Sequence, residues 1–123
     1  MTINDLPVSS PASFLPLAAR DFYILFFLAQ RQCHGYGLVK AIATHSQGTV
    51  RLDPANLYRA IQRLAVLGLV EDGPRRAAEE SGRERRYYQI TALGREVVAA
   101  EALRMRDLAT AALDPSLIPD SEA

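Results

Sequence analysis

Asp53–Gly94 reads DPANLYRAIQRLAVLGLVEDGPRRAAEESGRERRYYQITALG, and the order of its parts decides the fold. Asp53 is a helix-starting residue, and Pro54 follows at the first helical position, where its missing N–H costs nothing. Leu57, Ile61, Leu64 and Gly68 then recur at three- and four-residue steps, flanked by Ala60, Ala65 and Leu67. That spacing predicts an amphipathic helix packed on a core. The opposite arc carries Asn56, Tyr58, Arg59, Gln62 and Arg63. Asn, Gln and Arg can each make two-point contacts to base edges in the major groove. Any surface helix has a polar arc, so the segments that follow must decide between the two readings.

Gly68 suits the left-handed geometry that often ends a helix. Leu69-Val70-Glu71 can form a short strand, and Asp72-Gly73-Pro74 is turn chemistry. Arg75 to Arg86 is polar, holds Arg75, Arg76, Arg83, Arg85 and Arg86, and is predicted to be a mobile loop. Arg86 to Ile90 alternates, with Tyr88 and Ile90 on one face of a strand and Tyr87 and Gln89 on the other. Thr91 caps a further helix. A helix with a polar arc, then two strands joined by a basic loop, is the order of a winged helix-turn-helix. The competing reading is a solvated hairpin tip whose arginines pair with Glu79, Glu80 and Glu84.

Working outward, Leu17 to Arg31 is predicted as the first helix. It is apolar nearly all round through Phe22, Tyr23, Ile24, Leu25, Phe26, Phe27 and Leu28, and such a helix must be covered on more than one side. Gly35 to about Ser46 is the second helix, and Asp53 onward the third. Ala92 to Leu113 is a long, alanine-rich helix with Val97, Val98, Leu103, Met105 and Leu108. A domain this small cannot cover so much apolar surface alone. Phe22, Phe26, Val97, Leu103 and Leu108 are therefore expected at a homodimer interface, the alternative being a helix folded back on its own domain. The expected class is mainly α with a small β-hairpin (α+β). The expected divisions are a flexible arm over 1–16, a winged-helix domain over 17–91, a dimerisation helix over 92–113 and a disordered tail over 114–123.

The formal net charge is zero, so any nucleic-acid affinity must come from a local patch. Between Arg51 and Arg95 nine arginines face six acids, a local excess of three positive charges. That is modest; it predicts a salt-sensitive contact and favours two copies acting together. Cys33 and His34 are neighbours in sequence and would not face each other on a helix, which makes them a poor nucleophile–base pair. With His45 they lack metal-ligand spacing, so no enzyme activity, cofactor or metal is expected. The apolar run Phe22–Ala29 is too short to span a bilayer. With one cysteine and no evident signal segment, a cytoplasmic location is expected.

Four segments together carry a family resemblance: His34-Gly35-Tyr36-Gly37; Asn56 to Leu64; Gly68-Leu69-Val70; and Arg85 to Arg95. In this order and spacing they resemble the signature of the PadR family of bacterial transcription regulators, over roughly Leu17 to Leu113. The resemblance implies a winged-helix DNA-binding domain, a C-terminal dimerisation helix and repression relieved by a small molecule or stress signal. Two departures stand out. Asn56 occupies a place where the family often has Thr or Ser, and the chain has no Trp with which to stack a planar effector. The resulting expectation is a homodimeric repressor on a palindromic operator in double-stranded DNA. Tyr36, Asn56, Tyr58, Arg59, Gln62, Arg63, Arg83, Arg85 and Arg86 would contact DNA, and an effector would bind between the C-terminal helices or near the first helix. His34 and Tyr36 either present the start of the second helix to a phosphate or merely pack that turn. The alternatives are a winged-helix module that binds protein, and a redox- or metal-sensing regulator using Cys33.

Overall fold

The computed structural model describes residues 10–77 and 84–117, with backbone only at 75–77 and 84. In chain order the elements are α1 (Ala19–Gln30), β1 (Cys33–His34), α2 (Gly35–His45), α3 (Pro54–Val66), β2 (Val70–Ala77), β3 (Glu84–Ile90) and α4 (Ala92–Ala112). The three strands form one antiparallel sheet in the order β1-β3-β2. The architecture is that of a winged helix, α+β as read from the sequence.

The helix boundaries follow from caps. Asp53 Oδ1 accepts from the Asn56 N–H at 2.7 Å and starts α3. Gly68, with φ of 82°, ends it, and the Leu69 N–H closes the turn on the Leu64 carbonyl at 3.0 Å. This left-handed geometry is one glycine adopts without strain. Thr91 Oγ1 accepts from the Gly94 N–H at 3.0 Å and starts α4. The turn joining α2 to α3 is organised by a buried serine. Ser46 Oγ donates to the Val50 carbonyl at 3.1 Å and accepts from the Val50 N–H at 3.0 Å.

The core is a single cluster. Ile24, Leu25 and Leu28 of α1 meet Leu38 and Ile42 of α2, and Leu57, Ile61 and Leu64 of α3. Leu69, Tyr88, Ile90 and Val97 close it from the sheet and α4. Each such side chain contributes roughly 1.5–3 kcal/mol by leaving water. Gly94 is where α4 reaches the sheet: a Cβ there would lie 2.2 Å from the Leu69 carbonyl oxygen and 2.6 Å from Ile90 Cγ1.

Four expectations need revision. The wing strands are longer than read, because β2 runs on through Ala77 and β3 begins at Glu84. Asp72-Gly73-Pro74 is not a turn but an irregularity within β2, where the register shifts between Asp72 and Arg75. Proline is tolerated because β2 is an edge strand and a bulge leaves its missing N–H unused. The two-stranded hairpin gains a third strand, β1, whose two residues pair with Tyr88 and Tyr87. The expected flexible arm is ordered from residue 10: Pro11–Phe14 forms a 3-10 turn, packs on α4, and sends Phe14, Leu15 and Leu17 against the core.

Candidate nucleic-acid interface

The sequence of α3 sorts its residues by side. Leu57, Ala60, Ile61 and Leu64 are buried, and Asn56, Tyr58, Arg59 and Gln62 are exposed. The exposed side chains are ordered by one another. The Asn56 amide donates to Asp53 Oδ2 at 3.0 Å, and Arg59 donates to Asn56 Oδ1. Gln62 Nε2 donates to the Tyr58 hydroxyl at 3.0 Å. These i,i+3 and i,i+4 pairs hold the arc in one conformation. Arg63 has a different setting. Its guanidinium forks onto both oxygens of Asp21 at 2.7 and 2.9 Å, tying α3 to a carboxylate of α1 that is only 3% exposed. The Asp21 hydrogen bond is the main reason the Arg63 guanidinium holds its proton more tightly than usual.

Tyr36, in the first turn of α2, is 62% exposed and has the Lys40 ammonium 5.4 Å from its ring centroid. It lines a small pocket of about 180 Å³ with Gly35, Pro54, Leu57, Tyr58 and Tyr88. The start of α2 and the first half of α3 therefore share one face. The base of the wing lies beside it. Arg86 binds Asp72 across the hairpin at 2.8–3.2 Å and stands over the Tyr88 ring at 5.4 Å, with the Tyr58 hydroxyl as a further partner. The Asp72 hydrogen bonds are the largest cause of its raised pKa. Arg85 points to the other side of β3, where its Nη1 lies 3.0 Å from His34 Nε2.

His34 caps α2 by accepting the Gly37 N–H on Nδ1 at 3.0 Å, and it meets the Tyr87 ring edge-on at 5.3 Å. Burial first, and the Arg85 charge second, push its pKa down. Burial likewise pushes the Cys33 thiol up against the opposing pull of Arg31, so its thiolate form is disfavoured. Among the described residues no three His, Cys, Asp and Glu side chains gather as a metal site, and no helix is long and apolar enough to cross a membrane.

The structure thus brings Tyr36, Asn56, Tyr58, Arg59, Gln62 and Arg86 to one region, with Arg85 at its border. Arg63 is turned to α1. Arg83 lies outside the described residues. Of the residues expected at a dimer interface, Leu103 and Leu108 are exposed, Phe22 and Phe26 are half-buried and stacked at 6.3 Å, and Val97 is fully buried in its own chain's core. A groove of about 560 Å³ opens between α1 and α4, lined by Phe22, Tyr23, Phe26, His45, Ala102 and Met105 among others. His45 packs edge-on to Tyr23, Phe26 and Phe27 at its inner wall.

Two residues of consequence had no legible signal. Glu101 is 1% exposed, and its carboxylate accepts from the Leu17 N–H at 2.7 Å and from Arg104. Asp21 is its counterpart under α3. Each acid sits on a helix whose other residues give no hint of a buried charge, and their partners are set by tertiary packing.

Residues 24–100 match the family model described as the Transcriptional regulator PadR-like family. A PadR family transcription regulator from hypervirulent Clostridium difficile superposes with a TM-score of 0.64 at 21% identity, covering 77% of this chain and 95% of that one. A putative transcriptional regulator from Thermoplasma acidophilum gives 0.57 at 26% identity, over 76% and 89%. Bacillus subtilis PadR, solved in complex with operator DNA, gives 0.60 at 16% identity, over 84% and 53%. No match was found among curated proteins.

Proposed function

The chain belongs to the PadR-like family of transcriptional regulators, a family of regulators and not of enzymes, and from that premise we propose that it binds operator DNA as a homodimeric, effector-responsive repressor. One observation carries the reading. The polar arc of α3, Tyr36 at the start of α2 and Arg86 at the wing base share one face, while the apolar side of α3 is spent on the core. A helix so placed can enter a major groove with Asn56, Arg59 and Gln62 toward base edges, while the wing lies along the flanking backbone. That a relative of the same fold was solved in complex with operator DNA supports the DNA-binding reading.

Two copies suit the modest local charge, and α4 offers the surface for it. Leu103 is more than half exposed on the side of α4 opposite Gly94, Val97 and Glu101. Leu108, in line with Gly94 and Glu101 but beyond the part of the helix that packs on the core, is exposed as well. The division into a reading domain over 17–91 and a dimerisation helix over 92–113 is kept with one change: the first half of α4 also completes the core. An effector fits best in the α1–α4 groove, where an apolar ligand would bear on both helices at once.

The test is binding to the promoter upstream of the chain's own gene, titrated with salt. Preference for one palindrome, and an affinity that falls steeply with salt, are expected. Failure to bind any duplex at low salt would leave the protein-binding alternative in its place.

A further inference from the structure

The contact between His34 and Arg85 cannot be an ordinary hydrogen bond. His34 Nδ1 accepts the Gly37 N–H at 3.0 Å, so that nitrogen carries no proton. In neutral imidazole the proton must then sit on Nε2. Yet Nε2 lies 3.0 Å from Arg85 Nη1, which is also a donor. Two donors face each other with no acceptor between them. No carboxylate of the described residues pairs with Arg85. The other tautomer only moves the conflict to Gly37. The free N–H of the helix start is already used by Nδ1, so the site is the side-chain pair and not the helix terminus.

The pair is held by its surroundings. His34 pairs with Tyr87 across β1 and β3, and Arg85 stands two residues before Tyr87 on the same face of the sheet. The edge-on Tyr87 ring and the Gly37 cap fix the imidazole from two sides. Arg85 and His34 are each half-buried, and Tyr36 two residues on is exposed. An oxygen anion placed astride Nε2–H and the guanidinium would accept from both and remove the conflict.

We infer that His34 and Arg85 together clamp one phosphate of the DNA backbone, at the junction of α2 and the wing. The clamp rests on the DNA-binding reading above. It adds a contact that positions the reading helix without reading sequence.

The test uses His34→Asn, whose side-chain oxygen keeps the α2 cap while removing the Nε2–H donor, and Arg85→Gln, which removes the cation. Each should weaken binding to operator and to unrelated duplex by the same factor, about tenfold, with unchanged thermal unfolding. Arg85→Gln should lower the salt slope by about one, and His34→Asn should leave it unchanged. The double variant should be no weaker than the worse single one. Unchanged affinity in both single variants, with wild-type binding intact, would overturn the clamp while leaving the proposed function standing. Absence of wild-type binding would sink both. A second measurement follows the His34 ring by NMR titration. Added duplex should raise its titration midpoint, because an anion favours the charged ring. A rise with inorganic phosphate alone, and none with duplex, would mark a free-anion site and refute the backbone assignment.

Discussion

Two arginines four residues apart on α3 show how far a side chain's role depends on its neighbours. Arg59 is exposed and held by Asn56 in the reading arc, whereas Arg63 is committed to Asp21. Sequence reading placed both on one polar arc because they are one turn apart. Nothing local distinguishes them, since the acid that separates their roles lies 42 positions from Arg63. Arg59→Ala should therefore lower operator affinity by about 1–3 kcal/mol and leave the unfolding midpoint in place. Arg63→Ala should do the reverse. It strands a buried carboxylate whose remaining cation, Arg20, is 3.5 Å away. The loss should be about 2 kcal/mol, less than for a fully buried pair because the Arg63 side chain is 44% exposed. Urea unfolding and operator titration of both variants check this; a stable Arg63→Ala protein with lost affinity would return Arg63 to the reading face.

Elements with a local cause were legible before any coordinates. The starts of α3 and α4 follow from Asp53 and Thr91, the end of α3 follows from Gly68, and the faces of β3 follow from its alternation. Elements with a tertiary cause were not. β1 is two residues long, too short to show any period, and exists because β3 offers it a free edge. The continuation of β2 past Pro74 depends on a bulge that only pairing reveals. The packing of the 10–17 segment on α4 depends on Glu101, whose burial no helical pattern announces. That carboxylate gives a pH signature. The Arg104 hydrogen bond first, and the Leu17 N–H with it, outweigh burial and hold Glu101 below the ordinary glutamate range. A depressed acid stabilises the fold above its unfolded pKa, about 4.3, and that contribution is lost as pH falls through the folded value. The melting temperature of the native chain should therefore drop on acidification below about pH 4.3 more than that of Glu101→Gln, which carries no titrating group there. Parallel melting curves across that range would remove Glu101 from the account of stability.

At the scale of the whole molecule, the question is what covers the outer side of α4. Gly94, Val97 and Glu101 are buried along its inner side, so deleting the helix would expose the core as well as the proposed interface. A cleaner test places charge only on exposed leucines, Leu103 opposite the buried side and Leu108 beyond the part of the helix that packs on the core. Leu103→Glu with Leu108→Glu should give a folded monomer in sedimentation equilibrium, with operator affinity reduced by well over tenfold as the second reading head is lost. A double variant that remains dimeric would refute the α4 interface. The neutral total charge takes on meaning here as well. Arg63, Arg86 and Arg104 are each engaged by an acid of their own chain. Basic composition alone therefore overstates the field that a duplex would meet, and doubling the contact set matters more than the arginine count suggests.

The two inner fixings of α4 also have a mechanical meaning. Gly94 seats the helix against the Leu69 carbonyl, and Glu101 fastens it to the Leu17 N–H. The two positions are seven residues, or about two turns, apart and lie on the same side of the helix. A shaft keyed at two such points cannot roll about its own axis. Beyond Met105 it overhangs by the seven residues to Ala112, roughly 10 Å. A push on that overhang is not absorbed by rotation of the helix; it bears on the contacts with Leu69 and Ile90 at Gly94, where the helix meets the sheet.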